Sequence, residues 1–385
     1  MKNINVRELL SDLYLKEIFV WVTGNDLELA VSDDDVFDEY VDRIRALKTD
    51  IVDYLIDQGV VSENLFQEHC SSTLCQEVQL DENEIEAIYP ASSLQQGFIH
   101  HALTQPDDDA YRVQLLMDYK VAFDISAYQQ AWKLASLRYP ILRASFDWEG
   151  EIVQIIHQGA SISEANFKYI DLRHLAEAEQ DEVISKTQAA DRQTGFDLTQ
   201  PGLLRFTLLQ RDDKVMTVLM SEHHSIGDGW SNPLLLQTVH GYYDELVQGR
   251  QPEIEVEKIY QEVQEYRRKQ ETSTQTYWHE KQEIMQAAND LSGLLDIPAT
   301  LHEIKKVDNP LSKQLTVSGE AFQSLKQACQ LQGVTLNVAV QFAWHKLIQT
   351  YTQDKHTIVG TVVSGRDIPV EGIEESVGMY ITTLP

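Results

Sequence analysis

Positive charge is what this 385-residue chain has least of: 31 Lys and Arg stand against 61 Asp and Glu, a formal net charge of -30. Such a surplus repels phosphate backbones and anionic lipid, so neither nucleic acid nor a membrane surface is an expected partner. No apolar run reaches the roughly 20 residues that span a bilayer, and Met1 to Leu10 lacks the apolar core of a secretory signal. A cytoplasmic location is expected. Cysteine is scarce too. Cys70, Cys75 and Cys329 are an odd number with no disulfide framework, and His69-Cys70 with Cys75 matches no zinc spacing and lacks a fourth ligand. No metal is expected, and Cys70 and Cys75 read as linker cysteines. What remains is ordinary globular composition, 43% hydrophobic and 24% charged, long enough for two or three domains.

The richest stretch is EHHSIGDGWS, Glu222 to Ser231. The run before it, Val215 to Met220, is short, apolar and β-branched, as in a buried strand. Neighbouring side chains on a strand point to opposite faces, so His223 and His224 cannot serve one cavity together. One packs or caps while the other faces a ligand. Gly227 and Gly229 flank Asp228 and permit a tight loop with backbone close to a ligand. Ser231 is read as an N-cap, Pro233 lies near the first helical position, and an apolar pattern runs through Leu236, Val239, Tyr243 and Leu246 to a stop at Gly249. The unit is strand, reactive loop, helix.

HxxxD alone is common among core histidines, but the full HHxxxDGWS string in this setting resembles the signature of nonribosomal peptide synthetase condensation domains, relatives of chloramphenicol acetyltransferase. Further stretches carry the same resemblance. IYPASSLQQGFIHHAL, Ile88 to Leu103, looks like the family's opening motif, with Ser92 and Gln95 matching and Gly97 where many members carry arginine. RYPILRASF, Arg138 to Phe146, resembles RHxxLRxxF with Tyr139 in place of histidine and Arg143 kept. Tyr277-Trp278 resembles the marker of the second half, and SVGMYITTLP, Ser376 to Pro385, resembles VGxFxNTLP with Thr382 in place of asparagine. His100 and His101 form another adjacent pair, but Asp107 and Ala102 depart from the extra motif of members that combine epimerisation with condensation. They read as a helix face.

Residues 1–60 read as a separate module. A short helix around Val6 to Leu15 precedes two β-type runs, Ile18 to Val22 and Leu27 to Val31, around Thr23-Gly24-Asn25-Asp26, a hairpin signal. A second helix follows from Val41, Ile44, Leu47, Ile51 and Leu55, stopping at Gly59. A two-stranded sheet leaves edges that invite an added strand. Helix, hairpin, helix at an N-terminus resembles the tubulysin-type β-hairpin docking domains of peptide and polyketide synthases. That resemblance implies binding of an upstream enzyme's C-terminal tail, with Trp21, Val22, Leu27 and Leu29 of the hairpin and Asp33, Asp34 and Asp35 as candidate contacts. Those aspartates also read as a solvated cluster at a helix start.

Residues 61–84, rich in Ser, Glu and Gln, read as a linker; 85–265 and 266–385 read as two lobes. The fold class expected is α/β (α+β), which the resemblance makes two chloramphenicol acetyltransferase-like lobes in a V, the second C-terminally incomplete. Strands are expected at Tyr111–Tyr119, Ile152–His157, Leu203–Leu209, Val215–Met220 and, buried, at Ile358–Val363 before SGRD. Helices are expected at Ile125–Arg138, Tyr260–Lys269, Thr274–Met285, Phe322–Leu331 and, capped by Thr335, Leu336–Tyr351.

The implied reaction is amide formation between an acyl or peptidyl thioester on one carrier protein and the amine of an aminoacyl thioester on another. The phosphopantetheine belongs to the carriers, and no cofactor is expected on this chain. His224 would orient the amine and accept its proton, with His223 beside it, and Gly229 N–H would serve the developing oxyanion. Asp228 would be structural. A buried carboxylate needs a cation, and Arg143 is the expected one. An epimerisation domain shares HHxxxDG, but members follow it with Val-Ser-Trp. A free-standing acyltransferase using soluble acyl-CoA would leave the N-terminal module unexplained. A noncatalytic docking protein is the third alternative.

Overall fold

The computed structural model describes residues 2–16, 18–24, 26–31, 34–67, 69–70, 84–106, 108–281, 313–354 and 356–385, with the side chains of 2–5, 8, 15, 34–36, 39, 271–275 and 280 outside the description. Two compact units divide these residues: 1–272 with 364–382, and 273–363 with 383–385.

The first unit begins with helix α1 (Lys2–Leu15), strands β1 (Ile18–Thr23) and β2 (Asp26–Val31), and helix α2 (Asp34–Asp57). Val6, Leu9, Leu10 and Leu13 recur at helical spacing on α1, and Ile18, Val20 and Val22 alternate on β1. Both apolar faces close on Ile44, Ile51 and Leu55 of α2. β1 and β2 pair antiparallel, with Trp21 opposite Glu28 and Val22 opposite Leu27, and Gly24 takes φ +68° in the turn. Among the described residues nothing pairs with the outer edge of β2. Phe66 and Cys70 are buried in this core, Cys70 Sγ donating to Leu10 O at 3.7 Å. Phe66 and Cys70 both fall within the expected 61–84 linker. A polar stretch can still carry the few apolar anchors that a small core needs. Cys75 lies outside the described residues.

The chain continues through β3 (Ile85–Pro90), α3 (Ser93–Thr104), β4 (Arg112–Tyr119), α4 (Ile125–Arg138), β5 (Ala144–Asp147), β6 (Val153–His157), β7 (Phe167–Asp171), α5 (Glu177–Gln193), β8 (Leu204–Gln210), β9 (Met216–His223) and α6 (Ser231–Val247). One sheet has the order β3-β6-β5; the other runs β4-β9-β8-β7, antiparallel except for the parallel β7–β8 pair. Every residue of β9 is buried, because β4 and β8 flank it and helices cover both faces. Met216, Val218 and Met220 join the core that contains Tyr128 and Trp132 of α4 and Leu235 and Val239 of α6. Leu219, on the opposite face, packs with Leu209 and with Ile184 of α5. This period of two carries directly into the functional residues.

Helix α7 (Ile259–Glu280) is continuous where two helices were expected, and the end of the second expected helix lies outside the described residues. In the second unit, α8 (Gly319–Gln332) and α9 (Leu336–Thr352) follow, with Thr335 Oγ1 accepting from Val338 N at 3.2 Å as the cap of α9. Cys329 is buried on α8. The expected buried strand at Ile358–Val363 shrinks to β10 (Thr361–Val363), paired with β11 (Thr382–Leu384). Val362 is 67% exposed. A β-branched run signals extended backbone, and only neighbours on both faces bury it.

Candidate active site

β9 delivers the site. Glu222 and His223 are its last residues, and their side chains leave on opposite faces. His224 opens a 3-10 turn, His224–Ile226, that bends the chain before Gly227. Glu222 turns toward α6, where Asn232 Nδ2 donates to its Oε1 at 3.0 Å. Burial raises the Glu222 carboxyl above its usual range.

The two histidines hold opposite tautomers in their neutral forms. His223 Nδ1 accepts from the backbone N–H of Ser225 at 3.3 Å and from Ser225 Oγ at 2.8 Å, so its proton sits on Nε2. His224 Nδ1 lies 2.8 Å from Gly227 O, which can only accept. Its proton is therefore on Nδ1, and Nε2 carries the lone pair. Burial first, then the charges of His224, Arg112 and His101, lowers the His223 pKa to about 4. His223 is a neutral turn-forming residue; His224 is the one of the pair equipped to accept a proton.

Aromatic rings brace His224. Phe98 of α3 stacks on the imidazole with centroids 5.4 Å apart, Tyr111 lies 4.2 Å from Phe98, and His224 N donates to Tyr111 O at 2.8 Å. Gln95, one turn before Phe98, donates from Nε2 to Ser225 O at 3.0 Å. At Gly229 a Cβ would meet no protein atom within 4 Å. The space a close ligand would need is there.

Asp228 is fully buried and completely engaged. Its Oδ1 accepts from Trp230 N (3.1 Å), Ser231 N (2.9 Å), Ser231 Oγ (2.8 Å) and Arg366 Nη2 (3.2 Å); Oδ2 accepts from Tyr380 N (3.1 Å) and Ile381 N (3.3 Å). The N-cap of α6 is Trp230, where Ser231 was expected, and the Asp228 carboxylate accepts the N–H groups of Trp230 and Ser231 at the start of the helix. Ser231 Oγ shares its one proton between Asp228 Oδ1 and Gly378 O, each 2.8 Å away, and accepts from Gly378 N at 3.0 Å, tying the loop to the 364–382 segment. Trp230 joins them, its indole N–H donating to Glu374 O at 3.0 Å.

The expected Arg143–Asp228 pair is corrected by the structure. Arg143 is buried, but its guanidinium forks onto Glu86, Nη1 to Oε2 at 2.5 Å and Nη2 to Oε1 at 3.1 Å, and also donates to Ser136 O and His157 O. It staples α4 to β3 and β6. Asp228 pairs with Arg366 of SGRD, whose Nη1 donates to Ile373 O at 2.6 Å and Ser376 O at 2.9 Å. Each buried guanidinium meets a carboxylate, Arg366 leaving only its Nε without a hydrogen-bond partner among the described residues, and sequence distance does not say which carboxylate each reaches. The arginine inside SGRD, just before VGMY, was the available signal.

The remaining predicted residues are dispersed. His101 Nε2 sits 3.4 Å from Asp108 Oδ2, edge-on to Tyr111, while His100 is exposed. Asp107 lies outside the described residues. Tyr139 donates to or accepts from Thr238 Oγ1 at 2.7 Å. On the hairpin, Trp21 and Leu27 are half-buried and Leu29 is exposed, but Val22 belongs to the module core and supports the hairpin from within. Asp33 and the side chains of Asp34 and Asp35 lie outside the described residues.

A sequence profile described as "Condensation domain" matches residues 85–385. N-(5-amino-5-carboxypentanoyl)-L-cysteinyl-D-valine synthase of Penicillium rubens is 33% identical over 313 residues, 80% of this chain and 8% of that protein. Bacitracin synthase 3 of Bacillus licheniformis is 30% identical over 320 residues, 78% of this chain and 5% of that protein. The chain thus spans less than a tenth of the length of these relatives. Among solved structures, the first condensation domain of the calcium-dependent antibiotic synthetase, in complex with a substrate analogue, shares the fold at a TM-score of 0.53 and 18% identity, over 78% of this chain and 69% of that one.

Proposed function

Because the chain belongs to the condensation-domain family of nonribosomal peptide synthetases, we propose that it forms an amide bond between two carrier-bound thioesters, with His224 as the proton acceptor. The observation that carries this reading is the His224 Nδ1 bond to Gly227 O, which leaves Nε2 as the basic nitrogen. An α-amine has a pKa of about 7.7–8.0, so keeping it neutral near pH 7 costs only about 1 kcal/mol. His224 is asked for little as a base. Its larger contribution is to hold the amine in line and take the proton once attack has made the nitrogen acidic. Gly229 N–H is assigned to the developing oxyanion, consistent with the open space beside it. The substrates arrive on phosphopantetheine arms of donor and acceptor carrier proteins, and no residue here needs to become acylated.

Residues 1–60, or to about 70 with Phe66 and Cys70, are assigned to docking, 85–265 to the first lobe and 266–385 to the second. The outer edge of β2, which pairs with nothing among the described residues and lies beside exposed Leu29, supports capture of an upstream synthase's C-terminal tail as an added strand. No described helix is long and apolar enough to cross a membrane. A cytoplasmic setting fits these partners.

The test is carrier-dependent turnover of a synthetase containing this chain, compared with its His224→Ala variant. Loss of amide product with folding unchanged is expected, and unchanged turnover would remove His224 from the reaction. For docking, calorimetry of the chain with candidate tail peptides should give micromolar binding that salt weakens. No heat with any tail would leave the module a spacer.

A further inference from the structure

Three glutamines are buried in a row between the His224 turn and the wall that the N-terminal module shares with the lobe. Gln95 is 1% exposed, Gln154 0% and Gln264 7%. Gln95 Nε2 donates to Ser225 O at 3.0 Å and to Gln154 Oε1 at 3.5 Å; Gln154 Nε2 donates to Gln264 Oε1 at 3.3 Å and to Pro90 O at 3.2 Å. Tyr260 OH also donates to Gln154 Oε1. At the far end Gln264 lines a cavity of about 360 Å3, which Tyr14, Phe19 and Gln67 of the N-terminal module border from the other side.

Packing alone does not call for three amides in a core. Each buried amide costs a few kcal/mol if unpaired, so the row persists only because its members satisfy one another. The near end meets the carbonyl that follows His224, and the helix supplying Gln95 also supplies the Phe98 ring stacked on His224. We propose that Gln95, Gln154 and Gln264 are positioning residues for His224, holding its turn in register with the wall against the N-terminal module. This rests on the reading of His224 as the proton acceptor. Gln264 Oε1 orients Gln154, Gln154 Oε1 orients Gln95, and Gln95 holds Ser225 O. A slip at the far end releases the turn, and misplacement by about 1 Å can cost up to ~100-fold in rate.

The experiment removes the far end, away from the reacting atoms. Gln264→Leu cannot accept from Gln154; Gln264→Glu still can, and Gln261→Ala in the same cavity wall is the control. The imidazole 15N and 13C resonances of His224 are followed through a pH titration of the 385-residue chain, with amide exchange of residues 225–229. Gln264→Leu should shift the His224 resonances and speed exchange of the loop, while Gln264→Glu and Gln261→Ala match the wild type. In the synthetase, Gln264→Leu should lower kcat by about 3- to 10-fold with KM unchanged, and Gln264→Glu should restore it. Wild-type His224 resonances and loop exchange in Gln264→Leu would overturn the proposal. Should that variant not fold, Gln264→Ser, too short to reach Gln154, answers the same question. The resonances need no turnover, so a dead His224 hypothesis and a dead positioning hypothesis give different results.

Discussion

Arg366 Nη2 lies 3.2 Å from Asp228 Oδ1 although 138 residues separate them in sequence, with side chains only 3% and 0% exposed. The pair joins the reactive loop to the returning 364–382 segment, and Tyr380 N, Ile381 N and the Ser231 hydroxyl complete the shell around the carboxylate. Removing one buried partner strands the other charge.

Arg366→Met should therefore lower stability by about 3–5 kcal/mol, while Arg366→Met with Asp228→Asn recovers part of the loss. Urea denaturation of the four corners of the cycle measures the coupling. Arg143→Ala combined with Asp228→Asn should be additive, because Arg143 pairs with Glu86. Strong coupling between Arg143 and Asp228 would contradict the pairing described.

Gly365 positions Arg366 from φ +66°, and an added Cβ would fall inside the van der Waals envelope of Tyr380 O. Gly365→Ala should destabilise by about 2 kcal/mol or more, through left-handed strain and overlap together. Gly229→Ala should leave the thermal midpoint nearly unchanged, since nothing lies within 4 Å, yet slow amide formation if a substrate uses that space. Equal thermal losses in the two variants would count against both accounts.

The stability that His223 contributes should be lost on mild acidification. The His223 pKa drops from 6.5 to about 4 on folding, so the unfolded chain takes up the proton first as pH decreases. Its contribution is complete above about pH 6.5 and is lost between there and about pH 4, worth about 3 kcal/mol at ~1.4 kcal/mol per pH unit. His223→Asn keeps an acceptor for Ser225 and does not titrate. Denaturation at pH 7, 6, 5 and 4 should show a shallower decline in that variant, and parallel declines would discount His223.

Glu257 works in the opposite sense. Burial, partly offset by Ser376 and Arg138, raises its carboxyl pKa from 4.5 to about 7. The folded chain keeps this proton longer, so the stabilisation is complete below about pH 4.5 and disappears as pH rises through 7. Glu257→Gln, a neutral mimic, should match the wild type at pH 4 and exceed it by about 3 kcal/mol at pH 8. A variant less stable than wild type at pH 8 would mean that the ionised carboxylate is favourably held.

Local pattern determined a good part of this protein. The apolar alternation before His223 made β9 a strand, helical spacing made α4, α8 and α9, and Gly24 in a turn context made the hairpin, because each depends on a few neighbouring residues. The HHxxxDGWS string likewise marked the loop. What only the tertiary structure decided is which distant groups meet. Two arginines and several carboxylates were all plausible pairs by charge, and only the return of 364–382 brings Arg366 to Asp228 while leaving Arg143 with Glu86. The same holds for the opposite tautomers of His223 and His224, which depend on the turn that puts Ser225 N–H on one ring and Gly227 O on the other. Directional hydrogen bonds are satisfied in three dimensions, whereas periodicity is written along one, and that difference sets the boundary between what could be read and what had to be seen.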